Sequence, residues 1–334
     1  MIKKNNFAPH FNLKGDNPKY QQLVNSITDA IAENRLSKGE LLPSVNTICK
    51  ENKLSKDTVF KAYSILKSQG IIESVPNKGY YVVGETRKIL LVLDTFKAYK
   101  EVLYHSFINA LPENFIVDVQ FHHYHLENFK TIINNSIGKY YKYVVMDFNH
   151  NESSFLASTI PNEKLLLIDW GVNSTTKNNY VFQDFGQSFY DALIGAIESF
   201  KKYNEIHFVY PNFTNHPKET INFFEKFCSD FNVNYKIISH TKNFNIQPNI
   251  AYISVSDRIL GQFLEQCQEK KLEPGKDVGF LSYNETPMKK FIFKGISVIS
   301  TDFKELGAKA AEFVTNDEMR QQYVPTKLTL RESL

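Results

Sequence analysis

The chain has 334 residues, 42% of them apolar, and a formal net charge of only +3, a size that fits one large domain or two of unequal size. Cys49, Cys228 and Cys267 stand alone in the sequence, which excludes a CxxC zinc signature and a disulfide framework and fits a reducing cytoplasm. No apolar signal segment follows MIKKNNF, and ILLVL (89–93) is far too short to cross a bilayer, so a soluble, cytoplasmic protein without membrane contact is expected.

The positive charge is concentrated at one end. Residues 1–84 hold 12 Lys and Arg against 7 Asp and Glu, while the rest hold 27 against 29. A polyanionic partner is therefore expected for the first quarter alone. Within it, YQQLVNSITDAIAENRL (20–36) sets Leu23, Ile27, Ala30 and Ile31 at helical spacing as one buried stripe. Gly39 and Pro43 punctuate the link that follows. Ser44 caps a helix over 45–52 with Val45, Ile48 and Cys49 inward. Ser55 caps the next helix, which runs to about Gln69 with Val59, Ala62, Tyr63 and Leu66 inward and Gly70 as its stop. IIESV (71–75) and GYYVV (79–83), joined by Pro-Asn-Lys-Gly, read as a hairpin.

Three helices and a hairpin in so short a span make the layout of a winged helix-turn-helix. A helix presented by a short preceding helix fits the major groove of double-stranded DNA, and its N-terminal amides suit phosphate. The outward residues of the 56–69 helix are Lys56, Phe60, Lys61, Ser64 and Lys67. Lys56 and Thr58 lie in its first turn, where base edges are reached. Lys78 and Gly79 form the wing tip, which suits a minor groove or a phosphate. Asp57 repels phosphate unless it caps the helix or accepts from a cytosine amino group. Phe60 contacts a thymine methyl or packs back onto the wing, and the sequence leaves both open.

The run from Tyr20 to Val82 resembles the DNA-binding domain of the GntR family of bacterial transcription regulators. The resemblance is carried by Tyr20, Gln22-Leu23, Ile27, Ile31, Leu36, Gly39, Leu42-Pro43-Ser44-Val45, Leu54-Ser55, Thr58-Val59, Ala62-Tyr63, Leu66, Gly70-Ile71-Ile72, Gly79 and Val82. Many coupled positions at fixed spacing are more specific than a short motif. What it implies is a DNA-binding set of Ser44, Asn46, Ser55, Lys56, Thr58, Phe60, Lys61, Lys78 and Gly79. Asn46 stands where the family often has an arginine on DNA, and Phe60 near the place of a second one. Lys56 takes the place of the basic residue after the cap serine, and Thr58 that of a threonine on phosphate. With both arginines missing, guanine readout is weakened, because lysine lacks the bidentate fork. The operator is then expected to differ from the family's commonest ones.

VGETR (83–87) is a short polar passage and the expected boundary, giving a DNA-binding domain over 1–84 and a ligand-binding and dimerisation domain over 85–334. Past it, strands and helices alternate. Strands are expected at 89–94, 115–122, 141–148, 164–170, 180–185, 206–211, 233–239, 250–255, 277–284 and 296–301, with helices between most of them. Such repeats predict parallel sheets covered by helices, here in two lobes joined near 160–185 with a cleft between them. Asp94, Asp147, Asp169, Asp184, Ser254 to Asp257 and Asn284-Glu285 end strands, the usual place for ligand-binding groups in α/β sheets. Aromatic residues make up 14% of the chain and suit stacking on sugar rings.

Residues 87–334 resemble the periplasmic-binding-protein-like effector domain of LacI-type repressors. The resemblance rests on Tyr180 to Asp184, Ile253 to Asp257, Pro274 to Asn284 and the terminal TKLTLRES (326–333). It implies ligand contacts from Asp94, Phe96 and Tyr99 after the first strand and from Ser256 and Asp257 ahead of a helix, while Asp147 is a ligand candidate from its place at a strand end. Asn284 and Glu285 stand where such domains have an aspartate on sugar hydroxyls. Lys218 is the nearest residue to their clamping arginine.

His122, His123 and His125 lack further partners for a metal set, and no phosphate-binding glycine loop or nucleophile elbow is present, so neither metal, cofactor nor enzymatic activity is expected. The expected protein is an α/β chain with a winged helix-turn-helix head. It acts as a homodimer on a pseudo-palindromic operator, and a monosaccharide or derivative between the lobes controls it. Release of DNA by the effector is the expected sign. Two alternatives are a sugar-processing enzyme with a DNA-binding head and a DNA-binding protein whose large domain only dimerises.

Overall fold

The computed structural model describes residues 17–33, 35–76, 78–83, 87–147, 152–170, 178–316 and 318–334. The leading MIKKNNF and residues 84–86 of the expected boundary lie outside them. The chain divides into two compact units, one up to Lys88 with Pro112–Ile116, the other Ile89–Leu111 with Val117–Leu334.

The first unit holds α1 (Lys19–Ala32), α2 (Val45–Asn52), α3 (Lys56–Ser68), β1 (Ile72–Val75) and β2 (Gly79–Val82). Ser44 and Ser55 cap α2 and α3, accepting from Thr47 N at 3.1 Å and Thr58 N at 3.2 Å. These caps fix where each short helix starts and so set the turn between them. Leu23 and Ile27 of α1, Ile48 of α2, and Val59, Ala62 and Leu66 of α3 share one core. Tyr63 is buried there with its hydroxyl donating to Pro43 O at 2.7 Å, so the link ahead of α2 is tied to α3. β1 and β2 pair antiparallel with Ile72 opposite Val82, and an isolated antiparallel bridge ties Leu41 to Tyr81 of β2. The result is a three-helix unit with a wing.

The second unit builds two six-stranded sheets. In the first lobe run β3 (Arg87–Leu93), α4 (Ala98–Asn109), β4 (Phe115–Phe121), α5 (Leu126–Ser136), β5 (Lys142–Met146), α6 (Glu152–Thr159), a 3-10 turn at Asn162–Lys164, β6 (Leu165–Asp169) and β7 (Asn179–Gln183). The second lobe takes α7 (Gln187–Gly195), α8 (Ile197–Phe200), β8 (Glu205–Val209), α9 (Glu219–Asp230), β9 (Tyr235–Ile238), β10 (Ile250–Ser254), α10 (Asp257–Lys270), β11 (Gly279–Tyr283) and β12 (Ser297–Thr301). The chain returns to the first lobe with α11 (Phe303–Thr315) and β13 (Gln321–Val324), and ends in the second with β14 (Thr326–Thr329).

Strand order is β13-β7-β6-β5-β3-β4 in the first sheet and β14-β12-β11-β10-β8-β9 in the second. The central strands are parallel and buried on both faces, as in Leu90–Leu93 and Ile250–Ser254, because helices cover each side. β14 is the exception and pairs antiparallel with β12. The chain crosses between lobes at 183–187, 301–303 and 324–326, where the sequence predicted a single junction. β13 and β14 are too short and polar to stand out by pattern, and α6 also went without a prediction.

α11 packs on α4 with backbone in contact. A Cβ on Gly307 would lie 2.4 Å from Leu103 O and 2.9 Å from Phe107 N. The helices stay this close only because residue 307 lacks a side chain. Gly307→Ala is expected to destabilise the second unit by about 1–3 kcal/mol through overpacking. An unchanged urea midpoint would show that the two helices tolerate separation.

Candidate functional site

The head presents an exposed face made of the first turn of α2, the outer side of α3 and the wing tip. Asn46, Lys56, Phe60, Lys61, Lys78 and Gly79 are all exposed on it. Ser44, Ser55 and Thr58 serve the helix starts, with Ser55 Oγ and Thr58 Oγ1 2.8 Å apart. Lys56 has no ion pair among the described residues. Lys61 is less free, since its ammonium sits 3.9 Å over the ring of Tyr20. Lys67 is engaged too, donating to Ser74 Oγ at 3.0 Å. Gly79 has φ +105, where a side chain is strained, and this shapes the turn beside Lys78. Residues 42–83 contain six lysines and no arginine, and Arg35 ahead of them pairs with Glu33 at 2.6 Å. The face is thus a set of point charges without a guanidinium fork.

The second unit holds a cleft of about 450 Å³ between its lobes. Its walls are the carboxyl ends of β3, β6, β7, β10 and β11 with the loops behind them. Aromatic surface comes from Tyr99, Tyr124 and Trp170 on one lobe and from Phe213 and Tyr283 on the other. Polar groups are Asp94, Lys97, Asp169 and Gln183 from the first lobe, and Asn215, Ser256, Asp257, Arg258 and Asn284 from the second. Asp169 (φ 76) and Asn284 (φ 61) end their strands in the left-handed region, which turns their side chains out of the pleat. The Asn284 Oδ1 atom is buried with no hydrogen-bond partner among the described residues.

Charges in the cleft are not equally available. Asp94 is buried, and its carboxylate accepts from the buried Lys100, from the Tyr124 hydroxyl and from Thr95 N. Burial pushes the Lys100 ammonium down to about 8, with the nearby carboxylate of Asp169 opposing the shift. Burial likewise raises Asp169 above the usual carboxylate range, against the pull of Lys100, the Gln183 amide and Lys97. Asp257 is held by Lys289 at 2.7 Å, and Lys289 also donates to Asn284 O at 2.6 Å, so one buried lysine positions two cleft residues. Among the described residues Arg258 has no carboxylate partner, and its guanidinium lies 4.9 Å from the centre of the Phe213 ring.

The floor of the cleft continues into the lobe crossings. Gln183 Nε2 donates to Asp169 Oδ1, and Gln183 Oε1 accepts from Thr301 Oγ1 at 2.9 Å. Thr301 Oγ1 lies 3.5 Å from Thr326 Oγ1, which donates to Asp184 O at 2.7 Å. Ser188 Oγ accepts from Thr326 N at 2.9 Å. One buried polar chain therefore joins a cleft carboxyl to all three crossings.

The structure brings Asp94, Tyr99, Ser256, Asp257 and Asn284 of the expected set together. Phe96 stays exposed against Tyr104 and Phe121, outside the cleft lining. Asp147 is buried at the end of β5 and does not line the cleft either. Lys218 lies in an adjoining depression with Asn212 and Ser239. Glu285 turns away and pairs with Arg331, whose Nη1 also donates to Ile296 O at 2.7 Å; the terminal LRES is a clasp on β11 and β12. Sequence reasoning passed over Tyr124, Trp170, Gln183, His216, Arg258 and Tyr283 as cleft residues. The signal for Trp170 and Tyr283 was their place at the end of apolar strands. Nothing local marked Tyr124 or His216, which loops bring in.

The fold is a helix-turn-helix head followed by a two-lobed α/β unit with a ligand-sized cleft. The model of bacterial regulatory proteins of the gntR family matches residues 19–82. The chain is 30% identical over 97 residues to the HTH-type transcriptional repressor YtrA of Bacillus subtilis, covering 74% of it and 29% of this chain. It is 32% identical over 85 residues to the uncharacterized HTH-type transcriptional regulator YydK of Bacillus subtilis, a match over 25% of this chain and only 36% of that protein. The chain belongs to the gntR family of bacterial regulatory proteins. The large unit has the fold of a LacI family transcriptional regulator from Lactobacillus casei with bound glucose (TM-score 0.61, 11% identity, 74% of this chain and 99% of that one). Among the described residues no helix is long and apolar enough to cross a membrane.

His216 supplies a test of the cleft's structure. Its ring lies 4.5 Å from that of Tyr283, and burial pushes it down to about 3, with the Lys97 charge adding to the shift. The unfolded chain binds this proton near pH 6.5 and the folded chain does not, so His216 costs stability as pH falls from about 6.5 towards 3. Folding stability of the wild type relative to His216→Phe is expected to fall by up to ~1.4 kcal/mol per pH unit below about 6.5. Urea unfolding at pH 7.5 and pH 5 checks this. A difference independent of pH would place the imidazole in solvent.

Proposed function

We propose that the protein is a sequence-specific transcription regulator whose operator affinity is set by a monosaccharide or sugar derivative bound between the lobes. The observation that carries this reading is the cleft, where aromatic faces and fixed hydrogen-bonding groups of both lobes converge on one ligand-sized space. Flat rings suit the C–H face of a sugar, and Asp169, Asn284 and Arg258 suit its hydroxyl and ring oxygens. The glucose bound in the Lactobacillus casei regulator of the same fold supports this ligand class. The DNA-binding set is the expected one, with Lys56 the freest cation on α3. Release of the operator by the effector, and so repression without it, is the sign we assign. The catalytic alternative finds little support: Asp94 is saturated by its internal partners and is a poor acid or base.

The working unit is a homodimer in the cytoplasm. Met288, Phe291 and Phe293 form an exposed apolar patch on the second lobe, which suits a second copy of the chain. Ligand closure changes the lobe arrangement at that contact and thereby the spacing of two heads on a palindromic operator. The chain from Asp169 through Gln183 to Thr301 and Thr326 is the route by which the cleft reaches the crossings.

Trp170 lines the cleft and is the only tryptophan of the chain, which makes its emission a direct probe. One member of a panel of D-glucose, D-galactose, D-ribose, D-xylose, L-arabinose and their phosphates is expected to shift Trp170 emission and weaken operator binding. A sugar that shifts emission and leaves operator affinity unchanged would end the switch reading. Lys56→Ala is expected to cost about 1–3 kcal/mol on the operator if it reads a base, and equally on random DNA if it touches phosphate. Thr301→Val, which removes a hydroxyl of the polar chain outside the cleft lining, is expected to keep sugar affinity within about threefold while losing most of the operator response, a coupling that ordinarily amounts to about 1–3 kcal/mol. A full response in that variant would remove the polar chain from the route.

A further inference from the structure

The head carries an unusual pair of groups on its exposed face. Phe60 is the one large apolar side chain left exposed among the described residues of the head, at 49%. It lies outside the core cluster around Tyr63, and no ring of the wing packs on it; Tyr80 is taken by Tyr63 at 4.6 Å. Core packing therefore does not explain it, and covering its exposed half by an apolar group of a partner would be favourable. Asn46 is exposed in the first turn of α2, and its amide makes no hydrogen bond among the described residues; the local cap runs between Ser44 and Thr47 instead.

Base chemistry narrows what these groups select. Guanine is read best by a guanidinium fork on O6 and N7, and residues 42–83 have none. An asparagine amide matches the N6 donor and N7 acceptor of adenine. A phenyl ring matches the C5-methyl of thymine, the one apolar group on the major-groove edge. We infer that the head selects its operator on A·T pairs, with Phe60 against a thymine methyl and Asn46 on an adenine edge. Lys56 and Lys78 supply phosphate attraction and little base preference. The inference rests on the DNA-reading role proposed above and deepens it.

The test uses the full chain. Duplexes are selected from a random pool, and the enriched sequence is measured by fluorescence anisotropy with each thymine replaced in turn by deoxyuridine, which removes only the methyl group. At one thymine per half-site the wild type is expected to lose about fourfold in affinity, the burial of one methyl group. Phe60→Ala is expected to bind the thymine and uracil duplexes alike, whereas Phe60→Leu keeps part of the preference. Replacing adenine by 7-deazaadenine is expected to weaken the wild type and leave Asn46→Ala unaffected. Enrichment of G·C-anchored sites indifferent to uracil would overturn the inference and leave the DNA-binding role standing. A pool that does not enrich at all would sink that role and the inference with it.

Discussion

Buried polar groups in the second unit have to be satisfied within the protein, and the three places where its chain changes lobe are where that requirement is hardest to meet. Strands stop there, so ladder hydrogen bonds stop too. Gln183, Thr301 and Thr326 replace them with side-chain bonds, and all three are buried. In a low-dielectric interior such a network is rigid when complete and costly when one member is missing.

The same network ends in the cleft at Asp169. That carboxyl is buried, raised by burial, and shares its surroundings with Lys97 and Lys100. Asp94 beside it is consumed by Lys100 and Tyr124, so the two strand-end carboxylates have separate tasks. One is taken up by its neighbours, and the other bonds directly to Gln183 at the crossings.

The head obeys a different constraint. Its core is small, and two serine caps together with the Tyr63 hydroxyl on Pro43 O keep short helices in place. The outer face is then free to vary without loss of fold. Asn46 and Phe60 show that freedom, since neither contributes to the core.

Local physical chemistry was sufficient for much of this. Caps at Ser44 and Ser55, the stop at Gly70 and the buried runs such as ILLVL need only neighbours in sequence, so the head and the alternation of strands and helices were legible from the residues themselves. The charge excess of the first quarter was legible in the same way. Partnerships between distant residues were not. Glu285 as a partner of Arg331, Lys289 beneath Asp257, and Gln183 as the link from Asp169 to Thr301 join residues that are not neighbours in the chain, and no spacing encodes them. The return of α11 to the first lobe was equally hidden, because β13 and β14 are short and half polar. The sequence alone determined the class of elements and the side-chain chemistry of the head's exposed face, since both depend on local propensity and composition. Which carboxylates are free and how the cleft connects to the crossings was decided only by tertiary structure, because burial and pairing arise when separate strands meet.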